Sequence, residues 1–163
     1  MKLFFYILSS NMILYGDSVA ERYGDRIELL GVTFKDPLVL CQILIAIFLC
    51  IVFLQSSVDK IIDRKGNLVF LTNHFKNTLL IKVIGPLLTV LTLLELIGGL
   101  MLMYGIYYAF SARTTLWIFY GFVVLSVTII FLLFGQRVAK DYVGAADLVP
   151  YFILIMLGIM SMY

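Results

Sequence analysis

The stretch VIGPLLTVLTLLELIGGLMLMYGIYYAF, residues 83–110, contains one charged side chain, that of Glu95. A helix needs about 20 apolar residues to cross a bilayer, so this stretch is long enough to span a membrane. An ionisable side chain at that depth costs about 3 kcal/mol or more unless it faces protein, water or a partner. Glu95 therefore either marks a functional site or bonds a neighbouring helix.

The composition extends the membrane interpretation to the whole chain. Hydrophobic residues make up 63% and charged residues 13% of the 163 residues, and the mean hydropathy is +1.07. Soluble domains of this size are far less apolar. The net charge is only +2 and no stretch is densely basic, which excludes a nucleic-acid-binding groove.

Three further stretches pass the same length test, namely residues 37–54, 114–135 and 142–163. Backbone groups in lipid must form hydrogen bonds within their own segment, so all four stretches are predicted to be helices. The sequence therefore predicts an all-α integral membrane protein. Residues 37–163 would form a four-helix transmembrane bundle.

Residues 1–36 are predicted to be an N-terminal extension that is partly interfacial. Residues 1–15 are apolar but are broken by Ser9, Ser10 and Asn11. An interfacial or bundle-packing segment fits this pattern, and a fifth span or an uncleaved signal-like anchor are the alternatives. The anchor is suggested by Ser18-Val19-Ala20, which imitates a signal-peptidase site. Residues 23–35 are interpreted as a short soluble link.

If four helices cross the membrane in alternating directions, the loops after the first and third spans lie on the same side. That side, which we call the charged end, collects Asp59, Lys60, Asp63, Arg64, Lys65, His74, Lys76, Lys82, Arg137, Lys140, Asp141 and Asp147. The opposite side, the aromatic end, collects Tyr104, Tyr107, Tyr108, Phe110, Trp117, Phe119 and Tyr120. Such an aromatic belt favours the lipid–water boundary.

Glu95 is expected to lie roughly 20 Å along its helix from the charged end. On a period of 3.6 residues it shares one helix face with Leu88, Thr92, Gly98 and Gly99. Small residues beside an acid indicate that another helix packs closely there, so the carboxyl should point into the bundle.

The charged end has three pairs of polar residues at one-turn spacing, the first of which is Gln55 and Asp59 after the first span. Ser56 lies beside Lys60 after the first span, and Arg137 lies one turn before Asp141 after the third. If such groups line an opening above Glu95, they would bind an anion or the polar head of a lipid or quinone. The alternative is ordinary interfacial charge. The candidate binding residues are Asp59, Lys60, His74, Arg137, Lys140, Asp141 and Asp147.

Metal binding and a self-contained dithiol relay are disfavoured by the residues available, although either thiol could still react with a partner. Cys41 and Cys50 are nine residues apart on one predicted helix, which separates them by about 180° and some 13 Å, beyond disulfide reach. His74 is the only histidine, and one histidine among scattered carboxylates is a weak metal signal. No metal site is predicted.

Several short motifs resemble the DoxX family of membrane proteins. FLQSSVDK at residues 53–60, DRKGNL at 63–68 and Asn73-His74-Phe75 are similar to that family's first-span exit. Glu95 with Gly98-Gly99, and FGQRVAKDY at residues 134–142, resemble its second and third segments. The resemblance covers roughly residues 37–163. This chain departs from the family at Ser57, where glycine is common.

The resemblance implies a four-helix protein of the bacterial cytoplasmic (inner) membrane. Relatives include membrane subunits linked to thiosulfate:quinone oxidoreduction or to thiol and oxidative-stress complexes, and similar four-span proteins act as assembly or cargo factors. Two hypotheses follow. The chain is either a redox-associated subunit, in which a quinone-like or lipid headgroup binds and Glu95 handles a proton, or a non-catalytic scaffold that grips partner transmembrane helices. The sequence identifies no cofactor, and a quinone is the candidate that the resemblance suggests.

Overall fold

The computed structural model describes residues 27–29, 32–34, 37–112 and 114–162. In chain order, the elements are strands β1 (Ile27–Leu29) and β2 (Val32–Phe34), helices α1 (Pro37–Ile62) and α2 (Arg64–His74), a 3₁₀ helix (Leu79–Val83), and helices α3 (Ile84–Ala112), α4 (Leu116–Val138) and α5 (Tyr142–Met160). The chain divides into two compact units, Met1–Leu40 and Cys41–Tyr163.

In the first unit, β1 and β2 form an antiparallel pair in which Ile27 is opposite Phe34 and Leu29 is opposite Val32. The sequence predicted only a short soluble link at residues 23–35, without strands. Residues 32–34 are Val, Thr and Phe, residue types that are common in strands. The predictions of an interfacial segment, a fifth span or an anchor within residues 1–36 otherwise fall outside the described residues.

Within the residues that the structure describes, four helices are long and apolar enough to cross a membrane. They cover Leu38–Ile62, Leu79–Ala112, Leu116–Val138 and Tyr142–Met160, the second of which includes the 3₁₀ helix. The prediction of an all-α four-helix transmembrane bundle is confirmed, and the chain is a multi-pass membrane protein. Helix α1 continues to Ile62, beyond the predicted end of the first span at residue 54. It carries Lys60 in its last turn.

Helices α3, α4 and α5 pack in sequence order, and glycines lie at their closest approaches. A Cβ added to Gly105 of α3 would lie 2.7 Å from the backbone nitrogen of Ile118 in α4. A Cβ on Gly158 of α5 would lie 2.6 Å from the ring of Phe122. Ile118 and Phe122 are fully buried, so the core of the bundle lies where these small residues let the helices approach.

Helix α1 runs antiparallel to α3. The Cys50 thiol donates a hydrogen bond to the Gly99 carbonyl at 3.5 Å, and Arg64, just beyond α1, donates to the Thr89 hydroxyl at 2.7 Å. The contact residue therefore moves forward along the chain from Cys50 to Arg64 while its partner moves back from Gly99 to Thr89. Glu95 lies between these two contacts, so it faces the last turns of α1.

The aromatic end is held together by ring contacts between α3 and α4. The Tyr104 ring lies edge-on to the Trp117 ring at a centroid distance of 5.2 Å. Tyr108 stacks on Tyr104, and Tyr120 packs against Trp117. The rings are partly exposed, which fits side chains with an apolar body at the lipid–water boundary.

Candidate functional site

Glu95 is buried inside the bundle, with 1% of its surface exposed. The other four residues of its predicted face, Leu88, Thr92, Gly98 and Gly99, are also buried. Gly99 packs closely against α1, since a Cβ added there would lie 2.6 Å from the Leu54 side chain. The prediction that the carboxyl points into the bundle beside a closely packed helix is confirmed.

Glu95 is the only charge of its helix, but its surroundings supply the opposite charge. The Lys60 Nζ lies 3.1 Å from Glu95 Oε1 and 2.9 Å from Oε2. The Ser56 hydroxyl donates to Oε2 at 3.2 Å and accepts a hydrogen bond from Lys60 Nζ. We call Ser56, Lys60 and Glu95 the buried polar cluster. Charge-assisted hydrogen bonds of this kind are stronger than neutral ones.

The geometry of α1 explains how the buried polar cluster forms. Ser56 and Lys60 are four residues apart, so they lie on the same helix face. Lys60 is in the last turn of α1, where a cation is favoured by the helix dipole. Its side chain remains 20% exposed, whereas that of Glu95 is 2% exposed. The carboxylate of the cluster is therefore enclosed by protein, whereas the ammonium is partly accessible from outside the bundle.

A second polar group joins α2 to the last turn of α4 and to the connection that follows it. The His74 Nε2 lies 3.1 Å from Gln136 Oε1 and 3.7 Å from Asp141 Oδ2. The adjacent Phe75 is buried, and its ring lies 3.5 Å from where a Cβ on Gly135 would sit. These contacts place the segments after the first and third spans on the same side, as the sequence predicted.

The predicted one-turn pairing of Arg137 with Asp141 is wrong, because α4 ends at Val138. The Asp141 amide donates back to the Gln136 carbonyl at 2.9 Å and the Lys140 amide to the Arg137 carbonyl at 3.2 Å, which is a Schellman termination. Asp141 instead caps α5 by accepting from the Gly144 amide at 2.9 Å. The Arg137 guanidinium lies 4.7 Å from the centre of the Tyr142 ring.

Lys140 occupies the left-handed position of this termination, with φ of 61°. Because a side chain destabilises that backbone region, Lys140→Gly is expected to raise the free energy of unfolding by about 1 kcal/mol. Lys140→Ala is the matched control, since it also removes the charge but keeps a Cβ. Thermal unfolding of the purified protein in detergent measures both. Equal midpoints for the two variants would contradict the conformational explanation.

The structure separates the predicted site residues into three groups. Lys60 and Glu95 belong to the buried polar cluster, and His74 and Asp141 belong to the second group, with Arg137 beside it. The remaining predicted residues, Asp59, Lys140 and Asp147, are exposed, and among the described residues their side chains form no hydrogen bond or ion pair with either group.

Two side chains that belong to these groups were not among the predicted binding residues. Ser56 bridges Lys60 and Glu95, and its spacing from Lys60 was the available signal. Gln136 bonds His74, and nothing in its sequence context pointed to that partner. Within the described segments, no group of three or more His, Cys, Asp or Glu side chains is arranged to hold a metal ion. Cys41 and Cys50 are free thiols.

The fold and the site define a class of protein, namely a multi-pass helical membrane protein in which a Lys–Ser–Glu cluster joins the last turns of one span to a buried carboxylate in the middle of the next. Comparison of the chain with protein-family models, curated proteins and solved structures finds no match.

Proposed function

We propose that this chain is a membrane subunit of a redox-associated complex, which binds the polar head of a quinone-like or lipid molecule at its buried polar cluster. Glu95 would accept or relay a proton. The proposal is best supported by the ion pair between the buried Glu95 carboxylate and the partly exposed Lys60 ammonium. The Lys60 Nζ lies 3.1 and 2.9 Å from the two Glu95 oxygens.

The chemistry of the cluster suits an oxygen-bearing headgroup. An ammonium has three N–H donors that rotate about a flexible stem, so Lys60 would turn a donor from Ser56 to a quinone carbonyl or a phosphate oxygen. A quinone that is reduced by a redox partner also takes up protons. The Ser56 hydroxyl accepts from Lys60 and donates to Glu95, which provides a short hydrogen-bonded path to the carboxylate.

The motif resemblance supports the same proposal. The residues of the cluster fall within FLQSSVDK at 53–60 and beside Gly98-Gly99, which are similar to DoxX-family segments. Membership of that family would place the chain in the bacterial cytoplasmic membrane, next to partner subunits that supply electrons. The multi-pass architecture is consistent with that location.

A non-catalytic scaffold or assembly factor is the second candidate function. It is favoured by the observation that both Glu95 oxygens already accept hydrogen bonds from within the protein. In that case the ion pair would specify how α1 pairs with α3. The bundle would then act by holding the transmembrane helices of partner proteins.

The substitution Glu95→Gln separates the two functions, because it keeps size and hydrogen bonding but removes titration. For the redox subunit, quinone reduction by membranes that contain the complex is expected to fall about 100-fold or more. Protein level and complex assembly should stay normal. Reduction of menadione, followed by its absorbance, is the measurement.

Lys65→Gln is the matched control, since it neutralises an exposed charge at the charged end and should leave the rate unchanged. If Glu95→Gln behaves like the parent and only Glu95→Leu disrupts assembly, proton handling is rejected and the scaffold function holds. A purified sample that contains no extractable quinone and does not bind menadione would also argue against the redox subunit.

A further inference from the structure

Helix α5 buries the smallest share of its apolar stretch among the four spans. Its exposed side borders an open groove of about 680 Å³ against α1. We call it the α5 groove, and it is lined by Phe48, Ala146, Asp147, Pro150, Tyr151 and Leu154. The Phe48 and Tyr151 rings stack at a centroid distance of 6.5 Å and form its wall.

The α5 groove contains the carboxylate of Asp147, which is exposed. Among the described residues, this carboxylate has no hydrogen-bond or ion-pair partner. Asp147 lies five residues beyond the start of α5 at Tyr142, about 7.5 Å along the helix. An acid in an apolar span is costly unless it pairs, and such residues commonly mark a contact.

A second acceptor lies beside this carboxylate. Pro150 is inside α5 and has no N–H, so the Ala146 carbonyl lacks the donor that a helix ordinarily provides four residues later. Ala146 also lines the groove, and its small side chain allows another backbone to approach. The groove thus combines an apolar wall, a small residue and hydrogen-bond acceptors from two consecutive residues, Ala146 and Asp147.

We propose that the α5 groove is the docking site for a transmembrane helix of a partner protein that carries a Lys or Arg close to the charged end. A cationic side chain would satisfy both the Asp147 carboxylate and the Ala146 carbonyl. A second copy of this chain fits less well, because a two-fold contact through this face would bring two Asp147 carboxylates together. The inference is independent of the redox function, since it does not depend on chemistry at Glu95, and it gives the scaffold function a docking site and a partner chemistry.

Single-span peptides provide the test. The purified full-length protein, labelled with a donor dye, is reconstituted in phosphatidylcholine vesicles with acceptor-labelled Leu/Ala peptides that carry Lys, Leu or Glu six residues from one end. Energy transfer should show that the Lys peptide binds about tenfold more tightly than the Leu peptide. Asp147→Asn should abolish this difference, whereas Val149→Ala, on an exposed part of α5 outside the groove, should retain it.

The reversed pair tests the charge assignment and guards against misfolding of the Asn variant. Asp147→Lys should prefer the Glu peptide over the Lys peptide. The proposal is overturned if the parent binds the Lys and Leu peptides equally, or if Asp147→Asn keeps the preference. It is also overturned if energy transfer between copies of the protein shows self-association that Asp147→Asn removes. None of these results bears on quinone reduction, so failure here is distinct from failure of the proposed function.

Discussion

Lys60→Met is expected to lower the free energy of unfolding by about 3–5 kcal/mol, because it leaves a buried carboxylate without its counter-charge. Glu95 is 1% exposed, so water does not replace the lost ammonium. Ser56 alone would still donate to it, at 3.2 Å. Reversible unfolding in mixed detergent micelles, followed by circular dichroism, measures the change.

The double variant Lys60→Met, Glu95→Met distinguishes a buried ion pair from general loss of packing. With both charges removed, most of the lost stability should return, since replacing a whole buried pair with apolar side chains is often close to neutral. Lys65→Met is the matched control, because Lys65 is exposed. A Lys60→Met variant as stable as the parent would show that Glu95 does not depend on Lys60 for a counter-charge.

Gly105→Ala is expected to destabilise the bundle by about 1–3 kcal/mol, because the added methyl group overpacks the contact between α3 and α4. The new Cβ would lie 2.7 Å from the Ile118 backbone nitrogen and 3.0 Å from the Trp117 carbonyl carbon. Backbone atoms do not move aside by changing rotamer, so the two helices would have to separate. The same detergent unfolding assay measures this loss.

Gly85→Ala is the matched substitution in the same helix, since nothing lies within 4 Å of a Cβ at Gly85. It is expected to raise stability by up to about 1 kcal/mol through helix propensity. Gly121→Ala should fall between the two, because the nearest atoms belong to the flexible Leu102 side chain. Equal stability of Gly105→Ala and Gly85→Ala would contradict a close backbone contact between α3 and α4 at Gly105.

The connection between the first two spans shows where sequence reasoning was insufficient. Helix α2 was not predicted, although Asp63 caps it by accepting from the Gly66 amide at 3.0 Å. None of its residues is buried, so its sequence lacks the apolar stripe that predicts a helix packed against a core. The pairing of Arg137 with Asp141 failed for a related reason: the chain leaves the helix at Lys140, and the sequence lacks the glycine that usually marks such an ending.

The sequence by itself determined the four spans and the inward face of Glu95. Lipid leaves a long apolar segment no conformation but a helix, and the period of that helix assigns each side chain to a face. Only the tertiary structure decided that Glu95 meets Lys60 and Ser56. That contact depends on the register of α1 against α3, and the register is set by packing at Gly99 and by the contacts on either side, Cys50 to Gly99 and Arg64 to Thr89. Such packing depends on the shapes of both helices together, so neither segment alone encodes it.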